Sequence, residues 1–354
     1  MPKGPPFGGM TAYASTILRS SLFTDDDRTL LDTTPPGETY SFFSRLFHSL
    51  ILLWRLFKTL HVHHPRIVYF MTSSYLGFYE KGVMGLVSKM MGARVVFHFV
   101  GGGVRDFLSS TGLRSVLAKY FLRTASLVIV LSGEVRSLMG RIVPIEMISV
   151  LPNPVECDDY TSLKDSNSSG YKGPRILFSG AIVQEKGVLD LLDALRLARH
   201  KILDSKVTIL GDGALYASCQ KFVVDNGMAD IVDLPGFVEE DTKKEFVRSS
   251  DIFVLPSYKE GIPIALLEAM AASCAIVSTT AGDIPVAVVH GENGFLVPPG
   301  DVSALADAIV KLVEDPQLRA MMGQKGCSRA RKYFDAHVVM DQFAFLLERL
   351  RLQS

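Results

Sequence analysis

The stretch Pro256-Ser257-Tyr258-Lys259-Glu260-Gly261-Ile262-Pro263-Ile264-Ala265-Leu266-Leu267-Glu268-Ala269-Met270-Ala271 follows a short apolar run at 251–255. That run predicts a buried strand, and the Leu, Ala and Met residues at the end of the stretch predict a helix. Pro263 suits the first helical position, where its missing N–H costs nothing. The pattern therefore predicts a strand, a turn that holds Glu260, and a helix with Glu268 about one turn inside.

The two glutamates carry the chemical interpretation of this stretch. The free N–H groups of a helix start attract phosphate. Carboxylates do not bind anions, but they accept hydrogen bonds from sugar hydroxyls, and a nucleotide sugar has hydroxyls on both sides of a diphosphate. The alternative is that each glutamate only complements the helix dipole.

The whole string resembles the signature of the GT4 family of retaining glycosyltransferases, in which two Glu separated by seven residues lie within P-S-x-x-E-G-x-P-x-x-x-L-E-A-M-A. The resemblance implies that Glu268 binds the ribose hydroxyls and Glu260 the transferred sugar. It also implies a donor-binding turn and a loop beside the base, at Gly261, Ile262, Pro263, Ile264 and Val238.

Lys186 is a second candidate, after a predicted strand and at the start of a predicted helix. A cation there, with the helix N–H groups, can neutralise a diphosphate leaving group. A lone lysine is usually only a solvated side chain, but the K-G context resembles the family motif G-R-L-x-x-x-K-G. Ala181 stands where the family has Arg, and Arg105 is a candidate substitute.

The N-terminal candidates are Gly8, Gly9 and His98. A Gly-Gly lets backbone N–H groups approach an anion closely, although it is also common in plain turns. In GT4 proteins it follows a first strand and lies near the donor phosphates, and that strand is missing from the expected order here. His98 lies at the end of a predicted strand. Many GT4 proteins have an H-x-H-G motif here with a histidine that faces the donor sugar, but Val100 occupies the position of the second histidine in this sequence. His98 is therefore either a site residue or a structural histidine.

Composition narrows the class of protein. With 354 residues, 48% of them hydrophobic, two folded domains are expected. The net charge of zero argues against a nucleic-acid binder, yet residues 1–157 hold 16 Lys and Arg against 10 Asp and Glu. Four scattered cysteines and no signal peptide or 18-residue apolar run predict a cytoplasmic protein, or one on the inner face of the cell membrane.

Strands and helices alternate in both halves of the sequence, which predicts parallel sheets covered on both faces. We expect an α/β protein of GT-B architecture, with two Rossmann-like doubly wound domains that face a cleft and a C-terminal helix that crosses back to the first. The predicted divisions are an acceptor-side domain at 1–153, a linker at 154–173, a nucleotide-sugar domain at 174–336 and the last helix at 337–354.

Residues 42–60 form the most amphipathic segment, with apolar residues spaced by three and four and basic residues beside them. One interpretation is a core helix packed on the sheet. The other is a helix that lies on an anionic membrane, and both hold if one edge is exposed.

We expect a glycosyltransferase that moves a sugar from a UDP- or GDP-sugar to a lipid-linked or growing glycan, with peripheral membrane contact and no nucleic-acid partner. No metal or other cofactor is expected, because GT-B enzymes need no D-x-D metal site. The alternatives are an epimerase of the same fold and a non-catalytic nucleotide-sugar-binding partner of a glycosyltransferase. An oxidoreductase is disfavoured, because no G-x-G-x-x-G follows a strand.

Overall fold

The computed structural model describes residues 9–19, 29–31, 33, 42–72, 76–109, 112–161 and 173–352. The chain divides into two compact units, one of Met1–Pro152 with Met340–Ser354 and one of Asn153–Val339. Each unit is built on its own parallel sheet flanked by helices.

In the described part of the first unit, six helices and four strands precede residue 153. They are α1 (Gly9–Arg19), α2 (Phe42–His63), β1 (Ile67–Thr72), α3 (Leu76–Met90), β2 (Arg94–Phe99), α4 (Val104–Ser109), α5 (Leu113–Leu122), β3 (Leu127–Val130), α6 (Gly133–Met139) and β4 (Ile148–Val150). The strands pair in the order β1-β2-β3-β4, all parallel.

The core of this unit lies where β2 and β3 are covered on both faces. All four residues of β3 are buried, as are the last five of β2, which explains why both strands are continuous apolar runs rather than alternating ones. Phe78 of α3 packs on this sheet, with its ring centroid 5.4 Å from those of Phe97 and Phe99.

The described residues of the second unit form a six-stranded sheet and seven helices. They are β5 (Arg175–Ser179), α7 (Val188–Ala198), β6 (Lys206–Leu210), α8 (Tyr216–Asp225), β7 (Val232–Gly236), α9 (Glu240–Ser249), β8 (Ile252–Leu255), α10 (Ile264–Ala271), β9 (Ala275–Thr279), α11 (Ile284–Ala287), β10 (Gly294–Val297), α12 (Val302–Glu314) and α13 (Pro316–Tyr333). The strand order is β10-β9-β8-β5-β6-β7, again all parallel.

Helix α14 (Ala336–Leu352) begins in the second unit, and its residues from Met340 onward belong to the first. Within the first unit the Phe343 ring contacts Tyr69 of β1, with centroids 5.2 Å apart. Among the described residues, no helix has both the length and the apolarity needed to cross a membrane.

Residues 154–161, which the sequence assigned to the start of a linker, pack within the second unit. The backbone N–H of Val155 donates to the Phe334 carbonyl at 2.8 Å, and that of Ala336 donates to the Val155 carbonyl at 2.9 Å. Cys157 and Tyr160 are buried. This segment therefore forms part of the folded unit that carries the candidate site.

Candidate functional site

The strand order of the second unit reverses between the neighbouring strands β5 and β8. From β5 the chain proceeds through β6 and β7 toward one edge, whereas from β8 it proceeds through β9 and β10 toward the other. The connections that follow β5 and β8 therefore lead in opposite directions and leave a crevice at the carboxyl ends of these strands, where ligands of open α/β sheets bind. The loops that follow β5 and β8 carry Lys186 and Glu260.

These two loops are held against each other by backbone contacts. Gly187 adopts a φ of 66°, and a Cβ atom at this position would lie 2.1 Å from the Pro256 carbonyl oxygen, so only glycine fits. The Tyr258 N–H donates to the Glu185 carbonyl at 2.8 Å. The Tyr258 hydroxyl also donates to Asp190 at 2.6 Å. The loops are thus tied together by contacts within the chain.

Lys186 and Glu260, which are 74 residues apart, form an ion pair through the lysine Nζ and Glu260 Oε1. The Ser257 hydroxyl donates to the same Oε1 at 2.8 Å. The lysine side chain is 26% exposed and the glutamate side chain 10%, so both reach the crevice from a largely buried position. Gly282 packs on the Glu260 backbone, because a Cβ at Gly282 would meet the Glu260 carbonyl at 1.8 Å.

Helix α10 begins at Ile264. The sequence predicts Pro263 as the first helical residue, but in the structure Pro263 is the residue before the helix. The first N–H groups of the helix have no intrahelical acceptor and carry its positive dipole end. The preceding turn is held by Asn153, whose Nδ2 donates to the Ile262 carbonyl at 2.7 Å. Gly261, Ile262, Pro263 and Ile264 therefore form a supported turn beside the Lys186–Glu260 pair.

Glu268 lies in α10 and is 5% exposed. Its Oε1 accepts from Lys243 of α9 at 2.9 Å, and the same ammonium lies 3.0 Å from Glu240. Burial lowers the pKa of Lys243, but the carboxylates of Glu268 and Glu240 outweigh this and raise it overall. Oε2 of Glu268 is buried and accepts no hydrogen bond of normal geometry from the described residues.

Tyr160 lies beside Glu268, and its phenol pKa is raised first by burial and then by the negative charge of that carboxylate. Val238 is half-buried in the loop after β7, on the same edge of the sheet as the other candidates, two strands away from β5. The second unit thus holds the predicted residues Lys186, Val238, Glu260–Ile264 and Glu268.

The remaining predicted residues belong to the first unit. Gly8 lies outside the described residues, and Gly9 is the first residue of α1. His98 is fully buried in β2, where its Nδ1 lies 2.6 Å from the Tyr69 hydroxyl and its ring meets Tyr13 edge-on at 5.0 Å. Burial lowers the pKa of His98 to about 3, so the ring is neutral.

Nε2 of His98 has no hydrogen-bond partner among the described residues. The histidine is therefore a packed core residue with one ring nitrogen unused, and its role toward a ligand stays a prediction. Arg105, the proposed substitute for the cation missing at Ala181, donates to Glu134 of the first unit at 2.9 Å.

Sequence reasoning missed Lys243 and Asn153. Lys243 follows Glu240 at helical spacing, which is typical of a solvated surface pair, and nothing in the sequence links it to Glu268. Asn153 lies between two prolines, and nothing in the sequence places it beside Ile262. In the described part of the chain, no group of three or more His, Cys, Asp or Glu side chains is arranged to hold a metal ion.

Comparison with known proteins gives the same identification as the motifs. Residues 159–329 match the family model described as Glycosyl transferases group 1. The chain is 30% identical over 214 residues to the amylovoran biosynthesis glycosyltransferase AmsK of Erwinia amylovora, covering 58% of this chain and 52% of that protein. It is 29% identical over 182 residues to the putative colanic acid biosynthesis glycosyltransferase WcaL of Escherichia coli K12, covering 49% and 45%. The chain spans about half the length of these relatives.

Solved structures share the fold across most of the chain. HepE of Anabaena, crystallised with UDP, superposes with a TM-score of 0.72 at 21% identity, covering 84% of this chain and 82% of that one. Sucrose-phosphate synthase of Thermosynechococcus elongatus superposes with a TM-score of 0.74 at 21% identity, covering 89% and 82%. The predicted GT-B fold and the family resemblance are thereby confirmed.

Proposed function

Because residues 159–329 match the family model described as Glycosyl transferases group 1, we propose that the chain is a glycosyltransferase. It moves a sugar from a nucleotide-diphosphate sugar to a hydroxyl of a lipid-linked or growing glycan, with retention of configuration. The names of AmsK and WcaL, which refer to amylovoran and colanic acid biosynthesis, support a role in polysaccharide assembly. HepE, solved with UDP and with UDP-glucose, supports a nucleotide sugar as the donor.

The observation that carries this proposal is the Lys186–Glu260 pair at the point where β5 and β8 diverge, beside the start of α10. When the sugar leaves, negative charge develops on the diphosphate, and a cation together with helix N–H groups stabilises it. Lys186 supplies that cation. In the free protein Glu260 keeps the lysine in place, and with a donor bound Glu260 accepts hydrogen bonds from the sugar hydroxyls.

Glu268 suits the ribose of the donor. A carboxylate accepts two hydrogen bonds side by side, and the buried Oε2, which accepts none of normal geometry from the described residues, is an acceptor for one ribose hydroxyl. Lys243 provides the positive charge that compensates this buried carboxylate. A nucleotide-sugar donor would therefore contact Glu268 through its ribose and the Lys186–Glu260 pair through its diphosphate and sugar.

The proposed reaction needs no nucleophile from the protein. The leaving diphosphate assists the incoming hydroxyl on the same face of the sugar, so the tasks of the chain are orientation and charge stabilisation. Lys186 and the N–H groups of α10 take the role that a metal ion has in other transferases. We therefore expect turnover to persist in excess EDTA.

Two variants separate donor binding from transfer. Glu268→Gln should weaken binding of UDP or GDP by about 10- to 100-fold in calorimetry, because hydrogen bonds to a charged group contribute about 1.5–3 kcal/mol. Glu260→Gln should keep nucleotide affinity within about threefold and lose at least about 100-fold in sugar transfer, because the sugar loses its charged hydrogen-bond acceptor and Lys186 loses the carboxylate that preorganises it. Glu245→Gln, on the exposed side of α9, is the matched control.

The proposal is refuted if the wild-type chain binds neither UDP nor GDP, or if Glu268→Gln binds as well as wild type. Product analysis with the donor alone tests the epimerase alternative. An isomerised nucleotide sugar, with no transfer to any acceptor, would overturn the transferase assignment.

A further inference from the structure

Helix α2 is apolar on two opposite sides. Leu52, Leu56 and Leu60 are buried in the core of the first unit. About half a turn away around the same helix, Trp54 is 64% exposed and Phe57 52% exposed. The exposed side continues through Phe47, Leu50 and Val62. Large apolar side chains rarely stand exposed together on one helix without a partner.

The segment that contains this exposed side is basic, and Glu80 of α3, which accepts from the Ser49 hydroxyl at 2.8 Å, is the next acid along the chain. Residues 39–79 contain four Lys and Arg and four His but no Asp or Glu. Arg55 and Lys58 are exposed on α2 beside the aromatic residues. The Lys58 ammonium lies 5.8 Å from the centre of the Trp54 ring, so its stem runs along the apolar surface and its charge faces outward.

Helix α3 packs against both α2 and α5, and α3 and α5 also carry exposed apolar side chains. Met90 of α3 is 80% exposed, and Val116 and Tyr120 of α5 are 62% and 53% exposed. Residues 107–133, which include α5, also contain Lys and Arg but no acidic residue. The three helices thus share the same combination of exposed apolar and basic side chains.

We propose that this outer face, defined by Phe47, Leu50, Trp54, Phe57 and Val62 with Arg55 and Lys58, docks on an anionic lipid bilayer. An interfacial helix buries its apolar side at the boundary between headgroups and acyl chains while its cations contact anionic headgroups. Helix α2 has 22 residues and is therefore about 33 Å long. Cations without any acid over that length match a uniformly anionic plane, whereas a protein surface usually presents charges of both signs.

Trp54 is the only tryptophan in the chain, so its fluorescence reports on this face alone. Titration of the full chain with phosphatidylcholine vesicles that contain phosphatidylglycerol should shift the emission to the blue. Vesicles with brominated acyl chains should quench it. Phosphatidylcholine alone should give a much smaller shift. Emission that stays unchanged at the highest concentration of anionic vesicles would overturn the proposal and would favour a protein as the partner.

Charge variants test the anionic preference. Arg55→Gln/Lys58→Gln should weaken binding to the anionic vesicles by roughly 30-fold, because each cation near such a surface contributes about 1 kcal/mol, or a factor of about five. Lys201→Gln/Lys221→Gln removes two exposed lysines of the second unit and should change binding less than about twofold. Equal loss in both variants would contradict a specific docking face. The vesicle experiments do not depend on nucleotide binding, which is measured separately. Failure of this proposal can therefore be distinguished from failure of the proposed function.

Discussion

The buried pair between Lys243 and Glu268 allows a quantitative test of how the donor side of the site is held. The two side chains are 22% and 7% exposed, and their charged atoms are 2.9 Å apart. Lys243→Met would leave the Glu268 carboxylate buried without its cation. Breaking a buried pair in this way costs about 3–5 kcal/mol. We expect the lower end, about 3 kcal/mol, because water can reach the position of the partly exposed lysine.

The reverse substitution should cost less. Glu268→Gln keeps the shape and one acceptor oxygen, and Lys243 keeps its second partner, Glu240, at 3.0 Å. Losing a charge-assisted hydrogen bond while a neutral one remains costs about 1.5 kcal/mol. The double variant contains no unpaired buried charge, so it should be less destabilised than the sum of the single variants. The coupling energy should be about 2 kcal/mol or more.

Urea unfolding followed by far-UV circular dichroism measures these free energies. Trp54 lies in the first unit, so its emission follows that unit, and its midpoint should not move in variants of the second unit. Lys221→Met is the matched control, because its pair with Asp225 is exposed and contributes at most about 0.5 kcal/mol. A Lys243→Met protein within about 0.5 kcal/mol of wild type, or additive single effects, would refute the reasoning.

Two further predictions concern glycine packing and acid stability. Gly187→Ala should destabilise the second unit by about 2–4 kcal/mol in thermal unfolding, because its φ of 66° and the 2.1 Å approach to Pro256 both exclude a Cβ; Gly180→Ala, whose Cβ would meet no atom closer than 3.7 Å, should change stability by less than about 1 kcal/mol, and equal effects would contradict this account. His98 stays neutral in the folded protein because burial lowers its pKa to about 3, whereas in the unfolded chain it is protonated below about pH 6.5. The free energy of unfolding should therefore decrease as the pH is lowered, by about 1.5 kcal/mol between pH 6.5 and pH 5. His98→Gln should remove that part of the pH dependence of the Trp54-detected transition, and an unchanged slope would show that other groups cause it.

Local pattern was sufficient for most of the regular structure. The sequence predicts strands at 94–99 and 275–279 and a helix at 302–314, and the structure has them at Arg94–Phe99, Ala275–Thr279 and Val302–Glu314. Continuous apolar runs and helical periodicity report burial directly, so these elements are visible without tertiary information. The three-residue strand β4, Ile148–Val150, was not predicted, because it is short and only partly buried.

Helix α2 illustrates a limit of the same pattern. Its periodicity predicts an amphipathic helix, and Leu50, Trp54 and Phe57, spaced by four and three, predict one apolar side. The structure buries the opposite side, through Leu52 and Leu56, and leaves Trp54 exposed. Periodicity identifies residues that share a face, but which face is covered depends on neighbours that come from elsewhere in the chain.

The sequence by itself determined the strand, turn and helix around Glu260 and Glu268, because their spacing is local to one loop and one helix. Only the tertiary structure decided their partners. Lys186 meets Glu260 because β5 and β8 are neighbours in the sheet, although 74 residues separate the pair. Lys243 meets Glu268 because α9 packs beside α10. Strand order and helix packing arise from the burial of whole faces, which no local spacing encodes, and so the charges that complete the site appear only when the chain is folded.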